Sequence, residues 1–430
     1  MKQTLRNIVV KILTAEAKFL LRRKNPTIIA IAGSVGKTST KDAIYAAIKD
    51  QVPARKSQKS YNSEIGVPLT ILGLPTGWDS PVRWFWNIVD GAFTALFTRS
   101  YPAVLVLETG VDSPGDMDAL VSWLKPDISV ITRLPDVPVH VENFVSPQAL
   151  IDEEMKLVHA TRSSGVVVYN VDDVIIEKEL TSVRQKAISY GRFLPAQVAI
   201  KKDQIYYKND QPQGVTCSVT HGEKTATLKI PGVVGLQHTY AAAAAVAVAG
   251  HLGIPLQAAV EGLATHSTPP GRMRVFPGIK GSVLIDDTYN SSPVAAEHAI
   301  ETVASIKHAK RRIAVMGDML ELGKYSSDEH KKIGEKLAAH FDILLTVGVR
   351  ARRLAEGALN AGMDEGVIFQ YEDAARAGRE LQAMLQSGDV VLVKASQGIR
   401  AEQIVEEVML EPERAFELLV RQDPVWKTKK

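Results

Sequence analysis

The most explicit chemistry in the chain sits in eight consecutive residues, Ala32-Gly-Ser-Val-Gly-Lys-Thr-Ser39, placed between an apolar β-prone run and a helix-forming stretch. Gly33 and Gly36 let backbone N–H groups converge on phosphate oxygens, with Ser34 and Val35 between them and Ser39 just beyond. Lys37 adds a mobile positive charge, and the Thr38 hydroxyl can reach a magnesium ion. The full phosphate-loop pattern wants a further glycine where this chain has Ile31. A surface glycine turn is the plain alternative, but the order strand, Gly-rich turn, Gly-Lys-Thr, helix predicts a bound nucleotide. Glu108 closes a second apolar run, Ala103–Leu107. A carboxylate at the C-terminal end of a parallel strand faces the ligand crevice of an open α/β sheet. Its hard oxygens suit Mg²⁺ beside Thr38, although an ordinary loop glutamate would look the same.

These groups need a frame, and the 430 residues supply one. Hydrophobic residues make up 45% and charged residues 23%, which excludes a mostly disordered chain. A single cysteine, Cys217, excludes an internal disulfide framework and a Cys-rich zinc module, and suits a reducing compartment. The net charge of +3 is too mild to argue for nucleic acid. Apolar runs at Thr27–Ala32, Ala103–Leu107, Ile128–Thr132 and Val166–Tyr169 alternate with helical stretches, so the expected class is α/β with a parallel sheet covered on both faces. Residues 198–230 show shorter runs with turn signals at Asn209-Asp210 and His221-Gly222 and read as a small antiparallel insert. An Ala-rich helix, Tyr240–Gly253, follows. Thr265-His-Ser-Thr-Pro-Pro-Gly271 reads as a linker, after which strands at Ser282–Ile285, Arg312–Val315, Ile343–Thr346 and Val390–Val393 restart the alternation. The expected layout is a basic amphipathic helix over 1–25, an ATP-binding domain over 26–268 and a Rossmann-like α/β domain over 269–430.

The first segment carries Leu5, Ile8, Val9, Ile12, Leu13, Phe19 and Leu20 at helical spacing among Lys2, Arg6, Lys11, Lys18, Arg22, Arg23 and Lys24. It has no secretory cleavage pattern, and its charges are too frequent for a bilayer span. It reads as a helix packed on its own domain, with peripheral membrane contact as the sharper alternative. Trp84–Phe97 is likewise too short to span and reads as a buried or interfacial helix.

Gly-Ser-Val-Gly-Lys-Thr-Ser resembles the shortened phosphate loop of the Mur ligases, the ATP-dependent amide ligases of peptidoglycan precursor synthesis. Further matches keep the family order across residues 27–410: Asn62-Ser-Glu-Ile-Gly-Val-Pro-Leu69, Gly110-Val-Asp-Ser-Pro-Gly-Asp116, Asp286-Asp-Thr-Tyr-Asn290 with Pro293, Met316-Gly-Asp-Met-Leu-Glu-Leu-Gly323 and Val393-Lys-Ala-Ser396. They are most similar to the branch that adds D-alanyl-D-alanine. The resemblance implies that Glu108 binds magnesium and that His140 helps hold a second Mg²⁺. The family places a carbamylated lysine fourteen residues after that histidine. The ungapped position here is Glu154, which would supply the carboxylate directly; Lys156, two residues on, is the competing candidate, and a solvated acidic run is the plain reading. Gln237 and His238 fall in the family's nucleotide-contacting slot, where Ala241 replaces an asparagine that contacts adenine. Arg272 resembles an arginine that reaches ATP from the second domain, and Asp287 one that meets the ribose. Asn62, Asn290, Lys394 and Ser396 fall on the substrate side.

The function so implied is ATP-dependent amide ligation through an acyl phosphate, joining D-Ala-D-Ala or a similar amine to a peptidyl carboxylate, with ATP and Mg²⁺ required and no nucleic acid involved. A cytoplasmic monomer is expected, with membrane contact through 1–24 as the variant. Related enzymes carry an N-terminal domain that holds the UDP end of the acceptor, whereas only the basic helix precedes Gly33 here, which leaves UDP recognition open. The rivals are a Mur-like ligase acting on another peptidyl or lipid-linked carboxylate, and a non-catalytic nucleotide-binding partner.

Overall fold

The computed structural model describes residues 3–58, 61–78, 80–266 and 268–427; Lys2 of the basic segment and Ser267 of the linker lie outside them. Two sheets organise the chain. The first comprises β1 (Thr27–Ala32), β2 (Ala54–Lys56), β3 (Val104–Glu108), β4 (Ile128–Ile131), β5 (Val166–Asn170), β6 (Lys186–Gly191), β7 (Val198–Lys208), β8 (Gln211–His221) and β9 (Lys224–Pro231). Its order is β2-β3-β1-β4-β5-β6-β7-β8-β9, so β1 lies at the point where the connections diverge to either side. Pairing is parallel as far as β7 and antiparallel from β7 to β9. The antiparallel strands therefore extend the main sheet, through the parallel pairs Tyr190–Val198 and Gly191–Ala199, instead of forming a separate layer. Their turns fall where the sequence signals lie, with Asn209, Asp210 and Gly222 all at positive φ.

Alternation along β1 sends Ile29 and Ile31 to one face and Ile28 and Ala30 to the other. Among the described residues, seven α-helices precede the antiparallel strands: α1 (Gln3–Lys24), α2 (Lys37–Ile48), α3 (Gly66–Leu72), α4 (Pro81–Phe97), α5 (Asp116–Val121), α6 (Pro147–His159) and α7 (Val174–Glu179). After the sheet come α8 (Gln237–His251) and α9 (Leu256–Ala264). α2, α8 and α9 cover the Ile29 face; the buried run Ala241–Ala249 has no long side chains, which lets α8 approach α2 and the sheet closely. On the Ile28 face, Val9, Leu13, Ala17 and Leu20 of α1 join the core with α3, α4, α5 and α6. The first segment is thus a helix packed on the body of the protein.

The second sheet comprises β10 (Arg274–Pro277), β11 (Val283–Asp287), β12 (Arg311–Gly317), β13 (Ile343–Val347), β14 (Ile368–Tyr371) and β15 (Asp389–Lys394), in the order β10-β11-β15-β12-β13-β14. Only β10 is antiparallel to its neighbour. Helices cover both faces, among them α10 (Pro293–Ala304). Beyond the sequence expectation, the structure adds the short strands β2, β6, β10 and β14.

Candidate functional site

The carboxyl ends of the parallel strands of both sheets converge on one cavity of about 450 Å³. From the first sheet come the loop after β1, Glu108 at the end of β3, and Glu154 on α6. From the second come Asn290 after β11, Leu320 and Glu321 after β12, and Ser396 after β15. This is where an open α/β sheet binds ligands.

The loop between β1 and α2 has Gly33 at φ +122° and Gly36 at φ +91°, the left-handed region open to glycine at no steric cost. A Cβ at Gly33 would also collide with the Thr132 hydroxyl. Lys37 folds back to donate to the Gly33 carbonyl and lies 3.6 Å from Glu154 Oε1. The other Glu154 oxygen accepts the Gly33 N–H at 3.0 Å. Glu154 is almost fully buried, so the acidic run Asp152–Glu154 is not solvated throughout: its third carboxylate grips the phosphate loop.

Thr38 Oγ1 donates to Glu108 Oε1 at 3.2 Å, and Asn62 Nδ2 donates to the same oxygen at 3.4 Å. Glu108 Oε2 lies 3.4 Å from the buried Lys41 ammonium and accepts no hydrogen bond. Arg272, just after the linker, crosses to Thr38 Oγ1 at 3.2 Å while its guanidinium stacks on Tyr289 at 4.1 Å. Ser34 Oγ, Arg272 Nε and Ser291 Oγ are further buried polar atoms without a hydrogen-bond partner, and their residues line the same cavity. Buried orphans cost free energy, so their concentration here marks a space built for a polar ligand.

His140, at the cavity edge, is held by Glu321 at 2.9 Å and by Asp112 at 3.4 Å. Burial alone would lower its pKa; the Glu321 hydrogen bond, then the charges of Glu321 and Asp112, outweigh burial and raise it. Glu321 is lowered in return, chiefly by that hydrogen bond. In this arrangement both ring nitrogens face carboxylates, and His140 clasps the two halves of the cavity. Among the described residues no cluster of three or more His, Cys, Asp or Glu side chains is arranged to hold a metal ion.

The remaining expected residues divide. Asn62, Asn290 and Ser396 line the cavity. Asp287 and Lys394 lie behind its wall as a buried pair at 2.7 Å; Lys394 also donates to the Asn290 carbonyl at 2.9 Å, and Asp287 accepts the Met273 N–H at 3.2 Å. His238 is buried and its Nε2 meets the Arg272 carbonyl at 2.9 Å; burial pushes its pKa down to about 4, so it is neutral. Neither His238 nor Gln237 lines the cavity. Lys156 points away from it, bonded to Asp118 and, at 2.7 Å, to Glu153. Of the two competing candidates, Glu154 lines the cavity and Lys156 does not: on α6 its position is rotated away from that of Glu154, towards α5. Lys41, Tyr289 and Glu321 were not singled out from the sequence. Tyr289 and Glu321 lie inside matched motifs, and Lys41 follows Lys37 by one helical turn, the spacing that places both on one side of α2.

Comparison with known proteins agrees with this geometry. Residues 91–249 match the Mur ligase middle domain, and residues 271–397 match the family described as "Mur ligase, glutamate ligase domain". The UDP-N-acetylmuramoyl-tripeptide–D-alanyl-D-alanine ligase of Mycobacterium leprae is 30% identical, over 87% of this chain and 71% of that protein. The enzyme of the same name from Bacillus subtilis is 26% identical, over 92% and 79%. The crystal structure of MurF ligase from Thermotoga maritima in complex with ADP superimposes with a TM-score of 0.75 at 24% identity, covering 95% of this chain and 84% of that one. With a phosphate loop, an opposed second sheet and these relatives, the chain belongs to the Mur ligase family of ATP-dependent ligases.

Proposed function

We propose that the chain joins D-alanyl-D-alanine to the peptidyl carboxylate of a muramoyl-tripeptide precursor. One observation supports this reading above the rest: Lys37, Thr38, Glu108 and Glu154 from one sheet and Arg272, Asn290 and Ser396 from the other line a single cavity. The relatives named above carry that activity in their names. In the reaction, a carboxylate oxygen of the acceptor attacks the γ-phosphorus of ATP and ADP leaves, giving an acyl phosphate. The amine of D-Ala-D-Ala then attacks the acyl carbon and inorganic phosphate leaves. Lys37 and Arg272 offset the charge of the phosphates from opposite sides. The second sheet excludes water that would otherwise hydrolyse the acyl phosphate. We take residues 26–268 and 269–430 as the two domains that meet there.

The donor set fits Mg²⁺. Glu108 Oε2, which accepts no hydrogen bond, and the Thr38 hydroxyl would hold it beside the phosphates, with Glu154 serving a second ion; among the described residues they form no complete cage, and Mg²⁺ usually takes its other ligands from phosphate and water. When bound, Mg²⁺ offsets the charge of the carboxylate and the γ-phosphate. A second groove, about 720 Å³, meets the cavity at Asn62 and Asp112 and is lined by Arg6, Lys11 and Lys18 of α1. We assign it to the acceptor, whose anionic end would lie along these cations in the cytoplasm.

Phosphate release measured against a panel of peptidyl carboxylates, with and without D-Ala-D-Ala, tests the reading. The expected result is release only when the muramoyl-tripeptide and the dipeptide are both present, with Lys11→Glu raising KM for the acceptor. Turnover with another carboxylate alone would move the chain to a different ligase specificity. Nucleotide binding without turnover on any pair would make it a non-catalytic partner.

A further inference from the structure

Helix α4 lies outside this machinery, and its own sequence divides it. At about 100° per residue, Phe85, Trp86, Val89, Phe93, Leu96 and Phe97 fall within about 120° of arc. All six are between 40% and 64% exposed. Trp84, Asn87, Gly91 and Ala95 fall on the opposite side and are buried. Along the outer face, Phe85 packs edge-on to Trp86 at 5.7 Å and Phe93 meets Phe97 at 5.1 Å. Single exposed apolar side chains are ordinary, but a dense aromatic stripe of this kind marks an interaction surface.

We propose that this face docks the protein in the plane of a membrane that carries anionic lipid. Charge supports that occupant. Of the seven basic side chains in residues 1–24, Arg6, Lys11 and Lys18 line the second groove and Lys2 lies outside the described residues, which leaves Arg22, Arg23 and Lys24 together at the C-terminal end of α1. The basic end of α1 is fastened to the end of α4 that carries Phe97: Arg23 donates to the Ala95 carbonyl at 2.9 Å and Lys24 to the Arg99 carbonyl at 2.8 Å. Arg22 and Arg99 are exposed at that same end. Asp90 is the acidic residue on the rim of the stripe. Aromatic and aliphatic residues on one face with cations beside them are the pattern of a helix lying at the headgroup boundary. Among the described residues no helix is long and apolar enough to cross a membrane. A second copy of the chain would add a second basic cluster to the same rim, whereas anionic headgroups supply the opposite charge. The proposal is independent of which amine and carboxylate the ligase joins.

Flotation of the full chain with vesicles tests it, comparing phosphatidylcholine alone with phosphatidylcholine containing phosphatidylglycerol. The wild type is expected to float with the anionic vesicles. Phe93→Ser/Phe97→Ser should lower the partition coefficient about tenfold or more. Arg22→Glu/Arg99→Glu should lower it on anionic vesicles only, as added salt should. ATP binding and near-ultraviolet circular dichroism should be unchanged in both variants. As a measurement that needs no variant, lipids brominated near the headgroup should quench wild-type tryptophan fluorescence through Trp86. A wild type that stays with the unbound fraction and is not quenched overturns the proposal. So does a dimer, seen by sedimentation, that Phe93→Ser/Phe97→Ser splits while no vesicle binding is found: the face would then be a self-interface.

Discussion

Lys37 and Glu154 act as one residue-scale unit, because their charges lie 3.6 Å apart and both hold Gly33. Lys37→Ala is expected to lower ATP turnover by about 10²–10³-fold, the cost of removing a preorganised charge from a developing anion. It should also lower stability by about 1–3 kcal/mol, because a buried carboxylate loses its cation. Adding Glu154→Gln should restore much of that stability and none of the turnover, a double-mutant cycle read by thermal melts and phosphate release. In the otherwise wild-type chain, Glu154→Gln should raise the Mg²⁺ concentration needed for half-maximal rate, with Lys156→Ala nearly silent and added bicarbonate without effect. Loss of activity in Lys156→Ala, together with a wild type whose rate rises with added bicarbonate, would reverse the assignment. The local part of this site was legible because a phosphate loop is contiguous: Gly33 to Ser39 must be neighbours in space. Glu154 was legible only through family spacing. Glu321 lies inside a matched motif but was not singled out, because the motif gives no sign that its carboxylate will meet His140 from the other sheet.

At the scale of elements, legibility followed burial. β3, β4 and β15 are buried along their whole length and β1 from Ile28 onward, and they read as largely apolar runs. β14 and β2 are half-buried edge strands of four and three residues, whose mixed composition carries no period to detect. The pairing of α1 with α4 was likewise hidden, since helical periodicity says which face is apolar but not what covers it. That interface contains an anomaly. Glu16 sits against Gly91, where any side chain would strike its carboxylate, and its Oε2 is buried without a partner. Burial pushes its pKa up from 4.5 to about 7. The native state therefore holds a proton that the unfolded chain gives up, so stability falls as pH rises between 4.5 and about 7. Glu16 is only partly buried, and with solvent screening the penalty at pH 8 is about 1 kcal/mol. Glu16→Gln should raise the melting temperature at pH 8 and leave it nearly unchanged at pH 4.5; equal shifts at both values would place the effect in packing.

For the whole molecule, polar contacts join the halves that carry the two sheets, and three of them involve side chains near the cavity or on the elements that frame it. Arg272 reaches Thr38 at 3.2 Å, Arg133 meets His298 at 2.8 Å, and His140 meets Glu321 at 2.9 Å. Burial, followed by the nearby cations, pushes the His298 pKa down to about 3, so the second contact will not titrate as a switch in the neutral range. The third will. His140 is raised above its ordinary 6.5, so its contribution to closure is complete below that value and lost as pH rises through the raised one. Glu321 is lowered below 4.5, so its contribution is present above 4.5 and lost as pH falls through the lowered value. The clasp is thus strongest between those limits and weakens on the alkaline side first. Both side chains are about one-third exposed, which limits the effect to about 0.5–1 kcal/mol. Protease cleavage within Thr265–Gly271, measured without nucleotide, should therefore be slower at pH 6 than at pH 8.5 by roughly two- to fivefold, since 1.4 kcal/mol is tenfold. Glu321→Gln should abolish the difference by raising the pH 6 rate to the pH 8.5 value. A variant that keeps the full pH dependence would show that some other group governs the opening between the sheets.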